Sequence, residues 1–231
     1  MTKTYDVPLL VLTVATGAID GVSYLALDRV FTGNMTGNVL FIGFGLAGVS
    51  GLPVLNNLLA LLAFMLGALL AARLTRRAAG PAKLPRSGLL VLVVGSAVTL
   101  TLAALWSGAG APDGIAMFVV TGLLALVLGA QAAAVRHTGV RDLSTVVVTM
   151  AMVNLSADSR AAGGDGAAWA RRCAAVVAMG LGALVAALLT LRVDGSWALL
   201  TAGVVMAVGT AMIAAVRRRE IAAAAAAGPA A

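Results

Sequence analysis

Hydrophobic residues fill most of this chain in runs of helical length, separated by short polar or glycine-rich stretches. Eight apolar segments can be marked, at about 7–27, 35–49, 54–73, 88–107, 115–135, 143–157, 172–191 and 197–216. A helix needs about 20 residues to cross the hydrocarbon core of a bilayer. Six segments reach that length, and the second and sixth are shorter. The pattern predicts an all-α polytopic membrane protein with six transmembrane helices and two short apolar segments.

The distribution of positive charge indicates whether the two short segments cross the membrane. If all eight segments crossed, the cations would divide almost evenly between the two faces. If the short segments enter and leave on one side, only Arg29 and Arg192 lie outside, and the other 14 of the 16 lysines and arginines lie inside. Cytoplasmic loops carry such an excess of Lys and Arg. We therefore predict that both short segments are non-spanning (re-entrant) helices and that both termini are cytoplasmic.

The two halves of the chain share one order of segments: long, short, long, long. With three crossings in each half, an odd number, the second half would be inserted upside down relative to the first. A shift of 112 residues places Gly17-Ala18 on Gly129-Ala130. Inverted repeats of this kind recur in transporters, with the binding site between the halves. We predict one membrane domain over 1–231, with inverted repeats at about 7–107 and 115–216 and a basic, Ala-rich cytoplasmic tail at 217–231.

Composition supports the membrane assignment and explains the net charge. The chain is 61% hydrophobic and 11% charged, with a mean hydropathy of +1.03. Too few polar residues remain to cover a water-soluble surface. The net charge of +7 comes from short basic clusters at the ends of apolar runs, without interleaved aromatic residues. We therefore expect the lipid bilayer as the partner of this chain, and no nucleic acid.

A doubled Thr-Gly-Asn motif, at residues 32–38, interrupts the apolar pattern between the first two segments. Asp20 lies inside the first segment, flanked by Gly17 and Gly21. Ionisable residues inside a membrane are costly and usually functional, and glycines four residues apart allow a second helix backbone to approach closely. From these polar groups we predict a substrate-binding set made of Asp20, Tyr24, Thr32, Asn34, Thr36, Asn38 and Gln131.

Small residues at four-residue spacing occur again later in the chain. Gly182 with Ala186, and Gly203 with Ala207, form such pairs. They predict close helix packing, either within the monomer or between the subunits of a homo-oligomer.

Two stretches resemble a known family. The sequence from Gly17 to Leu25, and then from Val30 to Asn38, is similar to the signature of the YoaK-like family of bacterial membrane proteins, a domain of unknown function. The second-half stretch Gly129-Ala130-Gln131-Ala132 resembles another landmark of that family. The resemblance implies a multi-pass protein of the bacterial inner membrane with about six transmembrane helices and no established activity. Family members often carry Gln-Asn where this chain has Gln131-Ala132, a departure that leaves the first motif intact.

Enzyme chemistry has little support in the sequence. No run of His, Cys, Asp or Glu has metal-ligand spacing, a single histidine argues against a histidine-based triad, and no phosphate-binding Gly-Lys-Ser/Thr loop is present. We expect no enzyme activity, cofactor or metal, and predict a transporter or channel for a small solute or ion. Asp20 would bind a cation, a proton or a substrate amine. The alternatives are a structural or accessory protein, in which Asp20 only accepts hydrogen bonds from the Thr-Gly-Asn segment, and an intramembrane enzyme.

Overall fold

The computed structural model describes residues 4–76, 82–140, 148–166 and 168–226, and regular structure in these ranges is helical. The α-helices are α1 (Asp6–Ala26), α2 (Met35–Leu46), α3 (Val54–Thr75), α4 (Arg86–Ala109), α5 (Gly114–Val135), α6 (Val148–Ala157), α7 (Trp169–Arg192) and α8 (Gly195–Ala226). Six of them are long and apolar enough to cross a membrane, and α2 and α6 are the shorter apolar helices. The predicted fold class, with six long and two short helices, is confirmed.

Local chemistry sets several helix ends. After α1 the chain turns through Asp28 and Arg29, whose φ angles of 66° and 54° are left-handed and incompatible with a continuing helix. Asn34 caps α2 by accepting a hydrogen bond from the Gly37 N–H at 3.4 Å. Asp194 precedes α8 and accepts a hydrogen bond from the Ser196 N–H at 2.7 Å.

One helix extends further than its apolar segment, and one segment begins outside the described residues. The basic, Ala-rich stretch 217–231 was predicted as a cytoplasmic tail, and α8 extends into this stretch as far as Ala226. Alanine and arginine are strong helix formers, and Glu220 is held by the Tyr5 hydroxyl at 2.8 Å, so nothing ends the helix at 217. The predicted start of the sixth segment, residues 143–147, falls outside the described part of the chain.

Contacts at the helix ends show that α1 and α8 are antiparallel, and so are α8 and α4. Tyr5, at the start of α1, bonds to Glu220 near the end of α8, whereas Gly195, which begins α8, lies against Ala26 at the end of α1. Gly195 also lies against the Trp106 ring near the end of α4. At the other end, the Arg217 side chain donates to the Leu84 carbonyl, just before α4, at 3.2 Å. Helices α1 and α4 therefore run in the same direction.

The remaining long helices follow from further contacts. Trp106, near the end of α4, shares a cavity wall with Ala116 at the start of α5, and Ser87 at the start of α4 shares one with Ala130 near the end of α5. Helix α5 is therefore antiparallel to α4 and to α1. Packing is parallel between α1 and α7 and between α3 and α5, so α1, α4 and α7 run one way and α3, α5 and α8 the other.

These directions fix the placement of the short helices. Helix α3 begins at the end of the bundle where α1 finishes, so the connection that contains α2 starts and returns on one side. Helix α7 likewise begins at the end where α5 finishes, which makes the same true of α6. Neither short helix crosses the bundle, in agreement with the charge argument.

Helices α1 and α7 cross at reciprocal glycines. A Cβ at Gly17 would overlap the Met179 carbonyl oxygen, and a Cβ at Gly182 would overlap the Val14 carbonyl oxygen. The two backbones touch because neither glycine has a side chain. The close approach predicted from Gly17 and Gly21 is confirmed, and Gly182 packs within the monomer. We refer to this contact as the Gly17 crossing.

Helices α3 and α5 cross in the same way. A Cβ at Gly129 would overlap the Phe64 carbonyl oxygen, and one at Gly67 would overlap that of Leu126. In both crossings each glycine lies against the carbonyl three residues before the other glycine. This contact, the Gly129 crossing, relates α1 to α5 and α7 to α3, as the predicted inverted repeat requires. The repeat itself stays a prediction.

Candidate functional site

Asp20 is buried on α1 and is bound by the Thr-Gly-Asn segment. The residue is 7% exposed, and its Oδ1 accepts hydrogen bonds from the Thr32 N–H at 2.9 Å, the Gly33 N–H at 2.6 Å and the Thr32 hydroxyl at 3.3 Å. The Asn34 N–H also interacts with this carboxylate. Buried charge is tolerated where such donors replace water, so the loop offsets the cost of placing Asp20 here.

Both glycines of the doubled motif are closely packed. A Cβ at Gly33 would lie 3.2 Å from Asp20 Oδ2, and a Cβ at Gly37 would lie 2.8 Å from the Phe31 ring. Asn38 fixes the same loop, because its Oδ1 accepts from the Phe31 N–H at 3.0 Å and its Nδ2 donates to the Phe31 carbonyl at 2.6 Å. The loop is thus preorganised by its own side chains.

A cavity of about 550 Å³ opens beside Asp20. Four helices and the loop contribute to its wall: α1, α2, α6 and α7 surround it, with the polar residues Asp20, Tyr24, Asn34, Thr36 and Thr149 and the apolar residues Gly17, Gly21, Leu25, Phe31, Gly33, Val148, Met179, Ala183 and Ala187. Its volume lies in the range of small-molecule sites. The start of α2 and the first described residues of α6 therefore face one space.

Aromatic rings form one side of the cavity. Tyr24 and Phe31 stack with their centroids 4.9 Å apart, and Phe41 of α2 stacks on Phe31 at 6.1 Å. These contacts fix the Tyr24 ring against the loop. The Tyr24 ring is thus held in place between Asp20 and the end of α1.

The charge in this cavity is negative. Among the described residues that line it, Asp20 is the acidic one, and none is Lys, Arg or His. The hydrogen bonds that Thr32 and Gly33 donate to Asp20 all end on Oδ1. The cavity therefore presents a carboxylate whose second oxygen is not used by the Thr32 and Gly33 donors.

Comparison with known proteins identifies the family at this point. The family described as a protein of unknown function (DUF1275) matches residues 8–212. The chain belongs to this family. It is also similar to the UPF0700 transmembrane protein YoaK of Bacillus subtilis (strain 168), with 28% identity over 151 residues. That match spans 65% of this chain and 65% of YoaK. No solved structure matches the fold.

The predicted resemblance to the YoaK-like family is therefore confirmed, and this member of the DUF1275 family is a multi-pass membrane protein. The family description names no activity.

The structure divides the predicted site residues of this DUF1275 member into two groups. Asp20, Tyr24, Asn34 and Thr36 line the cavity. The other three lie behind its wall and make internal contacts: Thr32 on Asp20, Asn38 on Phe31, and Gln131 on α5, whose Nε2 donates to the Thr16 hydroxyl at 3.0 Å. All three are essentially inaccessible. Gln131 therefore joins α5 to α1 instead of facing the cavity.

Sequence reasoning missed one wall of the cavity. Met179, Ala183 and Ala187 of α7 line the cavity together with Asp20, and so does Phe31 of the loop. The small-residue pair Gly182 and Ala186 predicted close packing of α7 but did not name its partner helix. No pattern in the sequence marks Met179. Among the residues described, no group of three or more His, Cys, Asp or Glu is placed to hold a metal ion.

Proposed function

We propose that this protein moves a small solute or ion across the bacterial inner membrane, and that the cavity beside Asp20 is its binding site. Asp20 supplies the charge, for a cation, a proton or a substrate amine. Asn34 and Thr36 supply polar contacts, together with Tyr24. The observation that carries the proposal is a buried carboxylate at the wall of a 550 Å³ cavity, with Oδ1 held by the protein and Oδ2 outside those bonds.

The placement of α2 and α6 supports transport. Each starts and returns on one side of the bundle, and the N-terminal residues Asn34, Thr36 and Thr149 face the cavity. Irregular backbone is tolerated at membrane depth where it lines a cavity, and such segments commonly form transporter sites. A solute in this cavity would meet backbone and hydroxyl groups from both halves of the chain.

The structural alternative also has a specific observation in its favour. Asp20 accepts bonds from Thr32 and Gly33, as expected of a carboxylate that only fixes a loop to α1. Such a role accounts for Oδ1 and for the burial of Asp20. It does not require the adjacent space or the polar groups of Asn34, Thr36 and Thr149 that line it.

Replacing Asp20 by Asn separates the two functions. Asparagine keeps an Oδ1 acceptor for the Thr32 and Gly33 donors but removes the negative charge. A thermal-shift screen of the purified protein against protons, alkali cations, primary amines and amino acids identifies binders, whose uptake is then measured in proteoliposomes. The transport proposal expects Asp20→Asn to remain folded and inserted, with both the thermal shift and the uptake lost.

Asp113→Asn is the matched control, because it removes an exposed carboxylate next to α5 that lies away from this cavity. It should bind and transport as the wild type does. Equal binding and uptake by wild type and Asp20→Asn would refute the role of the carboxylate. A folded wild type that neither binds nor passes any compound of the screen would favour the structural role.

A further inference from the structure

A second cavity, of about 310 Å³, lies where α3 and α5 end. It is lined by Ala72, Arg76, Ala133, Arg136 and His137. The two guanidinium groups make this cavity basic, and no acidic residue is among the described residues that line it. Its residues belong to neither the Asp20 cavity nor the predicted site.

The residues of this cavity occupy the positions of the Asp20 cavity in the other half of the chain. The offset that carries Gly17 onto Gly129 also carries Gly21, Tyr24 and Leu25 onto Ala133, Arg136 and His137. The offset that carries Gly67 onto Gly182 carries Ala72 onto Ala187. Four lining positions of the basic cavity therefore correspond to four lining positions of the Asp20 cavity.

The two cavities lie towards opposite ends of the bundle. Each is found beyond a glycine crossing, on the side of the C-terminal end of α1 or of α5. Because α1 and α5 are antiparallel, these two ends point in opposite directions. Between the cavities, the glycine crossings bring the backbones into contact, and the hydrogen bond from Gln131 to Thr16 joins α5 to α1.

We propose that the basic cavity is the second mouth of the pathway whose first mouth is the Asp20 cavity, and that the solute is a small zwitterion with an ammonium and a carboxylate group. This inference rests on the proposed transport function and adds to it the second opening and the substrate class.

The charges at the two mouths select the solute. A simple cation would pair with Asp20 but be repelled by Arg76 and Arg136. A simple anion would be attracted by the two arginines but repelled by Asp20. A zwitterion presents its ammonium group to Asp20 and its carboxylate to the guanidinium groups, which bind carboxylates in fixed geometry. Both cavities have the volume of a small-solute site.

The substrate class is tested with matched compounds. The neutral common amino acids are compared with the amines and carboxylic acids that lack one of their two charged groups, by thermal shift and by uptake into proteoliposomes. At least one amino acid should bind and be transported, and its amine and its acid should bind at least about tenfold more weakly. Asp20→Asn and Arg136→Gln should each weaken uptake of that amino acid by about tenfold or more.

Arg218→Gln is the control for charge, because it removes an exposed cation at the same end of the bundle without touching the basic cavity. It should leave uptake unchanged. An amine that binds as tightly as its amino acid, with Arg136→Gln behaving like wild type, would overturn the zwitterion and the second mouth but leave the role of Asp20 standing. Uptake unaffected by Asp20→Asn would instead refute the proposed function.

The positions of the two mouths are tested without any solute. In a Cys173→Ser background, Ala187→Cys reports on the first mouth and Ala133→Cys on the second. A membrane-impermeant maleimide, added to one side of sealed vesicles and then to the other, should label these cysteines from opposite sides. Leu184→Cys, on the exposed apolar face of α7, should react from neither side. Labelling of both mouths from the same side would refute the proposal.

Discussion

The Gly17 crossing and the Gly129 crossing use the same backbone contact for different chemistry. In each, two glycines allow parallel helices to touch at their carbonyl groups. One turn beyond the first crossing lies Asp20, whereas the corresponding position beyond the second is Ala132. Helix packing therefore requires the same small residue at both places, and it leaves the neighbouring positions free to differ. What permits a carboxylate at only one of them is the set of donors supplied by Thr32 and Gly33.

The largest loss of stability is expected when the Asp20 carboxylate, which distinguishes the first crossing from the second, is removed. Asp20→Ala deletes the acceptor of three buried hydrogen bonds and leaves the Thr32 and Gly33 N–H groups unpaired. At about 1–3 kcal/mol for each buried donor left unsatisfied, the variant should lose roughly 3 kcal/mol of unfolding free energy. Unfolding measured in detergent checks this, and Asp20→Asn, which keeps Oδ1, should lose much less. An Asp20→Ala protein as stable as the wild type would show that the Thr32 and Gly33 N–H groups donate to water instead.

A smaller and equal effect is expected at the two crossings. Gly17→Ala and Gly129→Ala would each force a Cβ into a carbonyl group of the facing helix, at a cost of about 1–3 kcal/mol. Gly180→Ala on α7 is the control, because no atom lies within 4 Å of the added Cβ, so the gain in helix propensity should make it neutral or slightly stabilising. Thermal unfolding measures both variants. A large loss of stability in one variant and none in the other would contradict the correspondence of the two halves.

Helices α4 and α8 correspond in the two halves. The smallest loss of stability is expected at their N-terminal ends. Asp194 caps α8 through the Ser196 N–H, whereas no side chain caps α4 after Pro85. Asp194→Ala should cost about 1 kcal/mol. Ser87→Ala should change little, since its buried hydroxyl has no hydrogen-bond partner in the described part of the chain.

The same cap predicts a dependence on pH. The hydrogen bonds from Ser196, through its side chain and its N–H, hold the pKa of Asp194 below its usual value. Because the folded-state pKa is the lower one, the stabilisation is present above the unfolded value of about 4 and is lost as the pH falls below it. The difference in melting temperature between wild type and Asp194→Ala should therefore shrink on acidification. A difference that stays constant down to pH 3 would contradict this assignment.

The sequence predicted the elements of the fold well, because hydrophobic length is a property of each segment by itself. Within the described residues, a helix is present at each of the eight predicted segments, and so is the close approach at Gly17 and Gly21. The apolar segment 197–216 did not show that α8 extends to Ala226, because a run of arginine and alanine carries no signal that stops a helix and the contact of Glu220 with Tyr5 is not local.

The candidate site was predictable only in part. Asp20 stood out because a carboxylate in an apolar segment needs a partner, and the Thr-Gly-Asn motif provided one. The sequence could not show which polar side chains of that motif turn away from the cavity. Asn38 and Thr32 are consumed by bonds inside the protein, whereas Asn34 and Thr36 face the open space. That division depends on how the loop folds back on α1 and on its own side chains, which hydrophobic patterning does not encode.

The sequence by itself determined that this protein lies in a membrane, how many helices are long enough to cross it, and that a buried charge interrupts the first of them, because the length and polarity of each segment carry this information. Only the tertiary structure decided that α7 contributes to the wall of the Asp20 cavity, that Gln131 binds Thr16 away from the cavity, and that a basic cavity stands at the corresponding place on α3 and α5. These facts depend on which helices touch and along which faces, and contact between residues far apart in the sequence leaves no mark in the local pattern of either segment.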